Sequence, residues 1–113
     1  MNAAASPFLP FHADENREYG SIRMFDADAE PLSNLPFRYS RFVVAPRLAS
    51  RRDQHKVLET WVILSGSGTL VVDDRSFEVN ACDVVHFQSM QTHQIMNHGT
   101  IGIEIFSFWW ERE

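Results

Sequence analysis

The sequence predicts an all-β protein, built as a β-sandwich or a small β-barrel. Seven segments after Pro36 are short, rich in β-branched and aromatic residues, and separated by brief turns. Glycine, aspartate and asparagine mark those turns, and no segment keeps a helical apolar period over a useful length. Because only closure or sheet packing hides so many strand edges, this pattern favours a closed or two-layered architecture.

The predicted strands follow one another with little chain between them. They cover residues 37–45, 56–64, 69–74, 76–80, 83–88, 92–97 and 101–110. Turns are predicted at 65–68 (SGSG), 73–75 and 97–100. In the last of these turns Gly99 can take a positive φ, which is the usual reason for a glycine in such a position.

The first 36 residues differ in composition and in apolar patterning from the rest of the chain. They hold four of the five prolines and mix acidic, small and aromatic residues without a sustained period. We therefore predict an N-terminal arm at 1–36 and a single β-domain at 37–113. Within the arm, residues 21–25 can pair as a strand. Its apolar residues Phe8, Leu9 and Phe11 can cover a hydrophobic surface or a neighbouring subunit.

Composition limits the classes of partner. The chain has 113 residues and a formal net charge of −5, and Arg51-Arg52 is its only cluster of basic residues, which argues against nucleic acid as a partner. No apolar run is long enough to cross a bilayer, and the N-terminus lacks the basic start of a secretory signal, so we predict no membrane partner and a cytoplasmic location. Cys82 is the only cysteine, which excludes an internal disulfide framework and fits a reducing compartment. We predict that it is a small buried hydrophobic residue.

One predicted strand carries an unusual set of polar residues. If the chain is extended throughout, one face holds Asp53, His55, Val57, Glu59, Trp61 and Ile63. A histidine and a glutamate on an inward face are costly unless they are paired or bind an ion. His93, on a later strand, is a second inward candidate. Imidazole and carboxylate groups together suit a divalent iron, manganese, nickel, cobalt or zinc ion, and a salt-bridged pair remains the alternative for His55 and Glu59.

These residues resemble the two sequence motifs of a single-domain cupin. The first motif, G-x5-H-x-H-x3,4-E-x6-G, is similar to a run from Asp53 through His55 and Glu59 to Gly66. The second, G-x5-P-x-G-x2-H-x3-N, is similar to residues 82–97 and ends in the same way, with His93 and Asn97. The resemblance spans roughly residues 37–110 and implies a jelly-roll β-barrel.

The chain departs from both motifs at specific positions. Asp53 stands where the first metal-binding histidine is usual, and Cys82 replaces the opening glycine of the second motif. Gln88 and Met90 replace its proline and its later glycine. The resemblance implies His55, Glu59 and His93 as metal ligands. It leaves Asp53 as a fourth ligand, as an outer partner that orients His55, or as an ordinary turn residue.

For the other polar and aromatic residues, the sequence predicts whether they face the pocket, the core or the solvent. Glu104, between two isoleucines, is either an outward strand residue or a base in the pocket, and we carry Glu59 and Glu104 as candidate catalytic carboxylates. Arg38 and Arg41 point to opposite faces, so at most one projects inward, where it would suit a substrate carboxylate or phosphate. We expect the remaining histidines, His12, His86 and His98, to lie outside the pocket. We expect mainly core positions for Trp61, Phe106, Phe108, Trp109 and Trp110.

The resemblance implies a metal-dependent enzyme that acts on a small polar metabolite, of dioxygenase or isomerase type. Two alternatives stay open: a non-catalytic cupin that binds a small ligand, and a component of a system that forms nitrogen–nitrogen bonds, to which ETWVILSGSGTL and FSFWW are also similar. Cupins often exchange N-terminal strands, so the resemblance also implies a homodimer. A subunit that completes a partner enzyme is a further possibility.

Overall fold

The computed structural model describes residues 7–11, 17–19, 22–26 and 34–111 of the chain, and their regular structure is entirely β. The strands are β1 (Arg17–Tyr19), β2 (Ile22–Asp26), β3 (Arg38–Val44), β4 (Asp53–Gln54), β5 (Leu58–Ser65), β6 (Ser67–Val72), β7 (Arg75–Asn80), β8 (Val84–Phe87), β9 (Thr92–Met96) and β10 (Ile103–Trp110). Nothing in these ranges forms a helix that could span a membrane.

The strands form two antiparallel sheets. One sheet has six strands in the order β1-β2-β3-β10-β5-β8, and the other has four in the order β4-β9-β6-β7. Alternate side chains from both sheets meet in a shared apolar core, as expected for stacked sheets. Its buried members are Phe42, Val44, Trp61, Ile63, Leu70, Val79, Phe87, Ile95, Ile103 and Ile105. The predicted all-β class with two packed sheets is confirmed.

All seven predicted strands are present, with each end within two residues of its predicted position. The arm strand predicted at 21–25 is present as β2, and β1 and β2 extend the six-stranded sheet beyond β3. The division between an arm at 1–36 and a domain at 37–113 stays a prediction. The assumption of one extended strand from Asp53 to Ile63 is wrong. The chain bends after His55, so that β4 and β5 belong to different sheets.

The turns follow the predicted sequence signals with one exception. Asp73, with a φ of 52°, closes the β6–β7 hairpin. Gly66, with a φ of 83°, carries the chain from the six-stranded to the four-stranded sheet. Gly99 does not take the left-handed conformation that we expected. Instead, the side-chain oxygen of Asn97 accepts a hydrogen bond of 2.9 Å from the Gly99 amide and holds that turn.

Three positions where the cupin motifs carry glycine are occupied here by larger residues that keep a left-handed backbone. Cys82 and Met90, the replacements in the second motif, have φ angles of 76° and 69°. Arg47, six residues before Asp53 and so at the opening glycine of the first motif, has a φ of 67°. Because Cys82 lies in the exposed turn before β8, the prediction that its side chain is buried is wrong.

The aromatic residues divide between the core and the outer face of the six-stranded sheet. Trp61 is buried in the core as predicted, but Phe106, Phe108 and Trp110 are only half-buried, so a core position is wrong for these three. Strand alternation explains the difference. Ile103, Ile105 and Ser107 of β10 point inward, which leaves the intervening residues on the outer face.

The described part of the arm covers one end of this outer face. The Phe11 ring packs edge-on against Tyr39 and Phe106, at centroid distances of 5.3 and 6.4 Å. The hydroxyl of Tyr39 donates a hydrogen bond of 2.5 Å to the carbonyl oxygen of Pro10. These contacts explain why Tyr39 is buried although it points away from the core.

Candidate metal centre

Three side chains from two sheets meet inside the sandwich. His55 lies in the bend between β4 and β5, Glu59 on β5, and His93 on β9. One potential ligand atom from each lies within 4.8 Å of the others, so the three could hold a metal ion in common. The two imidazole rings have centroids 5.4 Å apart.

Glu59 is held in place through one of its two carboxylate oxygens. Its Oε2 atom accepts hydrogen bonds from the indole nitrogen of Trp61 at 2.9 Å and from the hydroxyl of Ser107 at 2.6 Å. Its Oε1 atom is buried, lies 3.4 Å from Nε2 of His93 and makes no hydrogen bond to any described residue. A buried carboxylate oxygen without a hydrogen bond is costly unless a cation compensates it. The residues therefore fit a divalent transition-metal ion.

His93 is packed between aromatic rings. Phe87 stacks on its imidazole with centroids 4.4 Å apart, and Trp61 meets it edge-on at 5.3 Å. Burial lowers the pKa of His93 below the usual 6.5, the neighbouring His55 acts in the same direction, and the Glu59 carboxylate opposes the shift. The imidazole is consequently neutral at pH 7, which is the form that binds metals.

His55 and Asp53 lie at the exposed end of the site. The carbonyl oxygen of His55 accepts a hydrogen bond of 2.7 Å from the Met90 amide, which fixes the bend next to the β9 side of the site. Asp53 pairs through its backbone with His93 in the β4–β9 ladder. Its carboxylate lies 3.3 Å from Nε of Arg51 and is not among the three groups that converge.

These side chains border a cavity of about 320 Å³. Its lining combines six apolar residues, from β2, β3, β5, β10 and the segment before β5, with eight polar or charged ones. The lining residues are Ile22, Met24, Ser40, Phe42, Ser50, Arg51, Asp53, His55, Val57, Glu59, Trp61, His93, Ser107 and Trp109. A small cavity of mixed character, with convergent polar groups at one end, is typical of a site for a small molecule.

The remaining candidates from the sequence lie outside this cavity. Glu104 is on the outer face of β10, where its carboxylate lies 3.4 Å from Nη1 of Arg41. Arg38 is also outside the cavity lining. His86 is on the outer face as well, with Nδ1 2.8 Å from the hydroxyl of Thr60.

Asn97, the last residue of the second motif, has a structural role in this chain. It is buried, and its amide nitrogen donates hydrogen bonds to the carbonyl oxygens of Val44 and Ile101, at 3.1 and 2.8 Å. It thereby ties the turn after β9 to β3. Of the other two histidines, His98 is exposed as expected and His12 lies outside the described residues.

Comparison with known proteins identifies the family. A family profile described as "Cupin domain" matches residues 40–109, which is more than half of the chain. The chain belongs to the cupin family. The matched range includes both stretches that resemble the cupin motifs, residues 53–66 and 82–97.

Several solved structures are similar to nearly the whole chain. A Cupin 2 conserved barrel domain protein from Salinispora arenicola is 28% identical, with a TM-score of 0.83 over 96% of this chain and 91% of its own. A Photorhabdus luminescens protein is 18% identical, with a TM-score of 0.83 and coverage of 95% and 89%. A predicted oxalate decarboxylase from Thermotoga maritima is 21% identical, with a TM-score of 0.75 and coverage of 99% and 100%. The last two similarities concern the fold alone.

Ser107 and Arg51 are among the groups at the site that were not anticipated from the sequence. Ser107, which donates to Glu59, could have been found from the alternation of β10, since it shares a face with Ile103 and Ile105. Arg51 lies in an irregular segment before β4, and no periodic signal indicates that it borders the cavity.

Proposed function

We propose that this cupin is a metal-dependent enzyme that acts on a small polar metabolite, with a reaction of dioxygenase or isomerase type. The ligands in this proposal are His55, Glu59 and His93. The observation that carries it is the convergence of these three side chains around the free Oε1 atom of Glu59. Two imidazoles and one carboxylate are a donor set that suits iron, manganese, cobalt, nickel or zinc in the divalent state.

The surrounding residues support a ligand role for Glu59 over a role as a general base. Its Oε2 atom already accepts two hydrogen bonds, and Oε1 faces His93. This arrangement favours Oε1 as a metal ligand over Oε1 as a proton acceptor. Glu104, the other candidate base, pairs with Arg41 outside the cavity. When bound, a divalent ion would act as a Lewis acid towards a substrate oxygen, and three protein ligands leave coordination positions open for it.

The wall of the cavity supports a substrate that is partly enclosed and whose apolar part packs against side chains. Phe42, Val57, Trp61 and Trp109 provide apolar surface next to the ligand group. Such a wall excludes water from the reacting atoms and strengthens the electrostatic interactions at the site. Ser40 and Ser50 add hydroxyl groups that can orient a polar substituent.

Elemental analysis of protein purified without an affinity tag tests this proposal. We expect about one first-row transition-metal ion per chain in the wild type, and its loss in the double variant His55→Ala, His93→Ala. The matched control is His86→Ala, His98→Ala, which changes two histidines outside the cavity. A wild type that neither contains nor takes up a metal ion would refute the proposal.

A second candidate, a non-catalytic metal-dependent binding protein, is favoured by one observation. The two carboxylates in the cavity lining are both engaged, Glu59 with Trp61 and Ser107 and Asp53 with Arg51, so that neither is an obvious proton acceptor. An enzyme should release altered product from a ligand that it binds. A binding protein should return the same molecule unchanged from the metal-loaded complex.

We further propose that the protein is a cytoplasmic homodimer. The outer face of β5, β8 and β10 supports self-association, because it carries Val62, Leu64, Val84, Phe106 and Phe108, with Val84 63% exposed. A solvated sheet face would carry mainly polar side chains. The exposed Cys82 thiol supports a reducing compartment.

A further inference from the structure

We propose that Arg51 recognises an anionic group, a carboxylate or a phosphate, on the molecule that enters the cavity. This inference rests on the proposed function, because it concerns the ligand of the same site. Of the described residues that line the cavity, Arg51 is the only lysine or arginine. Arg38 and Arg41, the arginines considered from the sequence, both lie outside it.

The contacts of Arg51 leave most of its donors available. Its Nε atom lies 3.3 Å from Oδ1 of Asp53, and its terminal nitrogens make no hydrogen bond to any residue in the described ranges. The side chain is 80% exposed, so the guanidinium can turn towards an incoming ligand. A guanidinium presents five N–H donors in a planar fork that matches a carboxylate or a phosphate.

The Arg51–Asp53 ion pair gives a role to Asp53, the residue at the usual histidine position of the first cupin motif. Asp53 is held by Arg51 and does not join the three groups that converge. It keeps the guanidinium next to the exposed end of the cavity, on the side of His55. We infer that Asp53 is a positioning residue for Arg51, and that an anion bound there lies between the guanidinium and the ligand group.

The charges at the site favour an anion. With a divalent ion held by His55, Glu59 and His93, the charges of the ion and of Arg51 exceed those of the Glu59 and Asp53 carboxylates. The low-dielectric wall strengthens the resulting attraction for a negative group. The aromatic and aliphatic lining favours an apolar body, so the predicted ligand class is a small carboxylate or phosphate ester with an apolar substituent.

Calorimetric titration with three probes of similar size tests this assignment. Benzoate and phenyl phosphate represent the two anionic groups, and benzamide is their neutral counterpart. We expect Arg51→Gln in Zn²⁺-loaded protein to weaken the better-binding anion by about tenfold or more and to leave benzamide unchanged. The matched control is Arg52→Gln, because Arg52 bonds to the Asp73 carbonyl and the Thr92 hydroxyl outside the cavity and should retain the wild-type anion affinity.

The outcomes separate this inference from the proposed function. The assignment is overturned if neither anion binds the wild type, if Arg51→Gln binds both anions as the wild type does, or if Arg52→Gln loses the same affinity. Zn²⁺ uptake is measured first in all three proteins and should be equal. Failure of the wild type to contain or take up any first-row divalent ion would refute the proposed function, and the same probes titrated into metal-free protein would then decide on Arg51.

Discussion

The position of the Glu59 carboxylate depends on two neighbouring donors as well as on its own strand. Trp61, two residues along β5, and Ser107, which pairs with Trp61 on β10, both donate to Oε2 and leave Oε1 near His93. Such outer partners restrict the orientation of a ligand and raise its affinity for the metal. Their contribution can be measured separately from that of the ligand itself.

We predict that Ser107→Ala lowers the affinity for a divalent metal by about 10-fold to 100-fold, because one of the two hydrogen bonds that orient Glu59 is lost. Isothermal titration with Zn²⁺ measures the change. Ser40→Ala is the matched control, since Ser40 is buried and lines the same cavity but makes no hydrogen bond to Glu59. Equal affinities in both variants would contradict this account of Glu59.

Two positions where the second cupin motif carries glycine have a strained backbone in this chain. Cys82 and Met90 keep the left-handed conformation in which a side chain clashes with the backbone. The family pattern therefore constrains the backbone even where this chain has another residue. Substitution by glycine removes the clash, although it also increases the entropy of the unfolded chain.

We predict that Cys82→Gly and Met90→Gly each raise the free energy of unfolding by about 0.5–1 kcal/mol, since relief of strain exceeds the entropic cost. Urea denaturation measures this change. The control is Ala81→Gly, at an adjacent position without a positive φ, which should lower the free energy of unfolding by about 0.5–1 kcal/mol. Destabilisation of all three variants to the same extent would show that the strain is absent.

At the scale of elements, the chain passes from one sheet to the other between β5 and β6, and β6 approaches its neighbours closely there. Gly68 of β6 lies so close to its neighbours that an added Cβ would be 2.5 Å from the Met96 carbonyl oxygen and 2.6 Å from Cδ1 of Ile103. The first contact is with backbone, which cannot move aside without disturbing the β6–β9 ladder. β9 carries His93, so this approach of strands also affects the candidate metal centre.

We predict that Gly68→Ala lowers the free energy of unfolding by about 2 kcal/mol or more, because the added methyl group clashes with the Met96 backbone on β9 and with Ile103 of the other sheet. Thermal and urea unfolding measure the loss. Gly99→Ala is the control: its added Cβ would meet only the Asn97 side-chain oxygen, at 3.3 Å, and the cost should stay below about 1 kcal/mol. A Gly68→Ala variant as stable as Gly99→Ala would contradict the close approach.

The elements were more predictable from the sequence than their arrangement. Short segments rich in β-branched and aromatic residues, separated by turn residues, located every strand from β3 onward except β4, which has only two residues. The SGSG run was identified as a turn, but no local signal indicates that the chain changes sheets there. Motif spacing brought His55, Glu59 and His93 to attention, because a motif encodes a three-dimensional arrangement that periodicity does not.

The contacts of charged groups at the site were the least predictable part. Whether the Asp53 carboxylate pairs with Arg51 or with a metal depends on distances of a few ångströms between side chains in an irregular segment. Sequence periodicity does not determine such distances. From the sequence alone, Glu104 could lie on the inner or the outer face of its strand. The pairing of β10 with β3 places it on the outer face beside Arg41. Strand alternation gives two faces, and only the packed sheets determine which face is inside.

For the whole molecule, the most informative surface is the outer face of the six-stranded sheet. The arm covers its Tyr39 end and Phe106 through Phe11, whereas Leu64 on β5 and Val84 on β8 are exposed. A two-fold interface brings the same patch of two copies together, and an uncharged patch does not repel itself. The Arg41–Glu104 pair lies towards the edge of this patch and is internally balanced.

We predict a sedimentation mass of twice 13.0 kDa at micromolar concentration, and a shift towards 13.0 kDa in Val84→Asp, because a buried unpaired carboxylate opposes the interface. Analytical ultracentrifugation distinguishes the two masses. Ile101→Asp is the control, since Ile101 is 66% exposed in the turn before β10, away from this face, and should leave the dimer intact. A wild type that sediments at 13.0 kDa would contradict the homodimer.

The central claim is that His55, Glu59 and His93 hold one cation between the two sheets. Anomalous diffraction at the cobalt edge, from crystals of the protein loaded with Co²⁺, tests this claim most directly. The account predicts one strong anomalous peak about 2.0–2.2 Å from a nitrogen of each histidine and an oxygen of Glu59. A peak bound by other residues, or no peak inside the cavity of fully loaded protein, would contradict it.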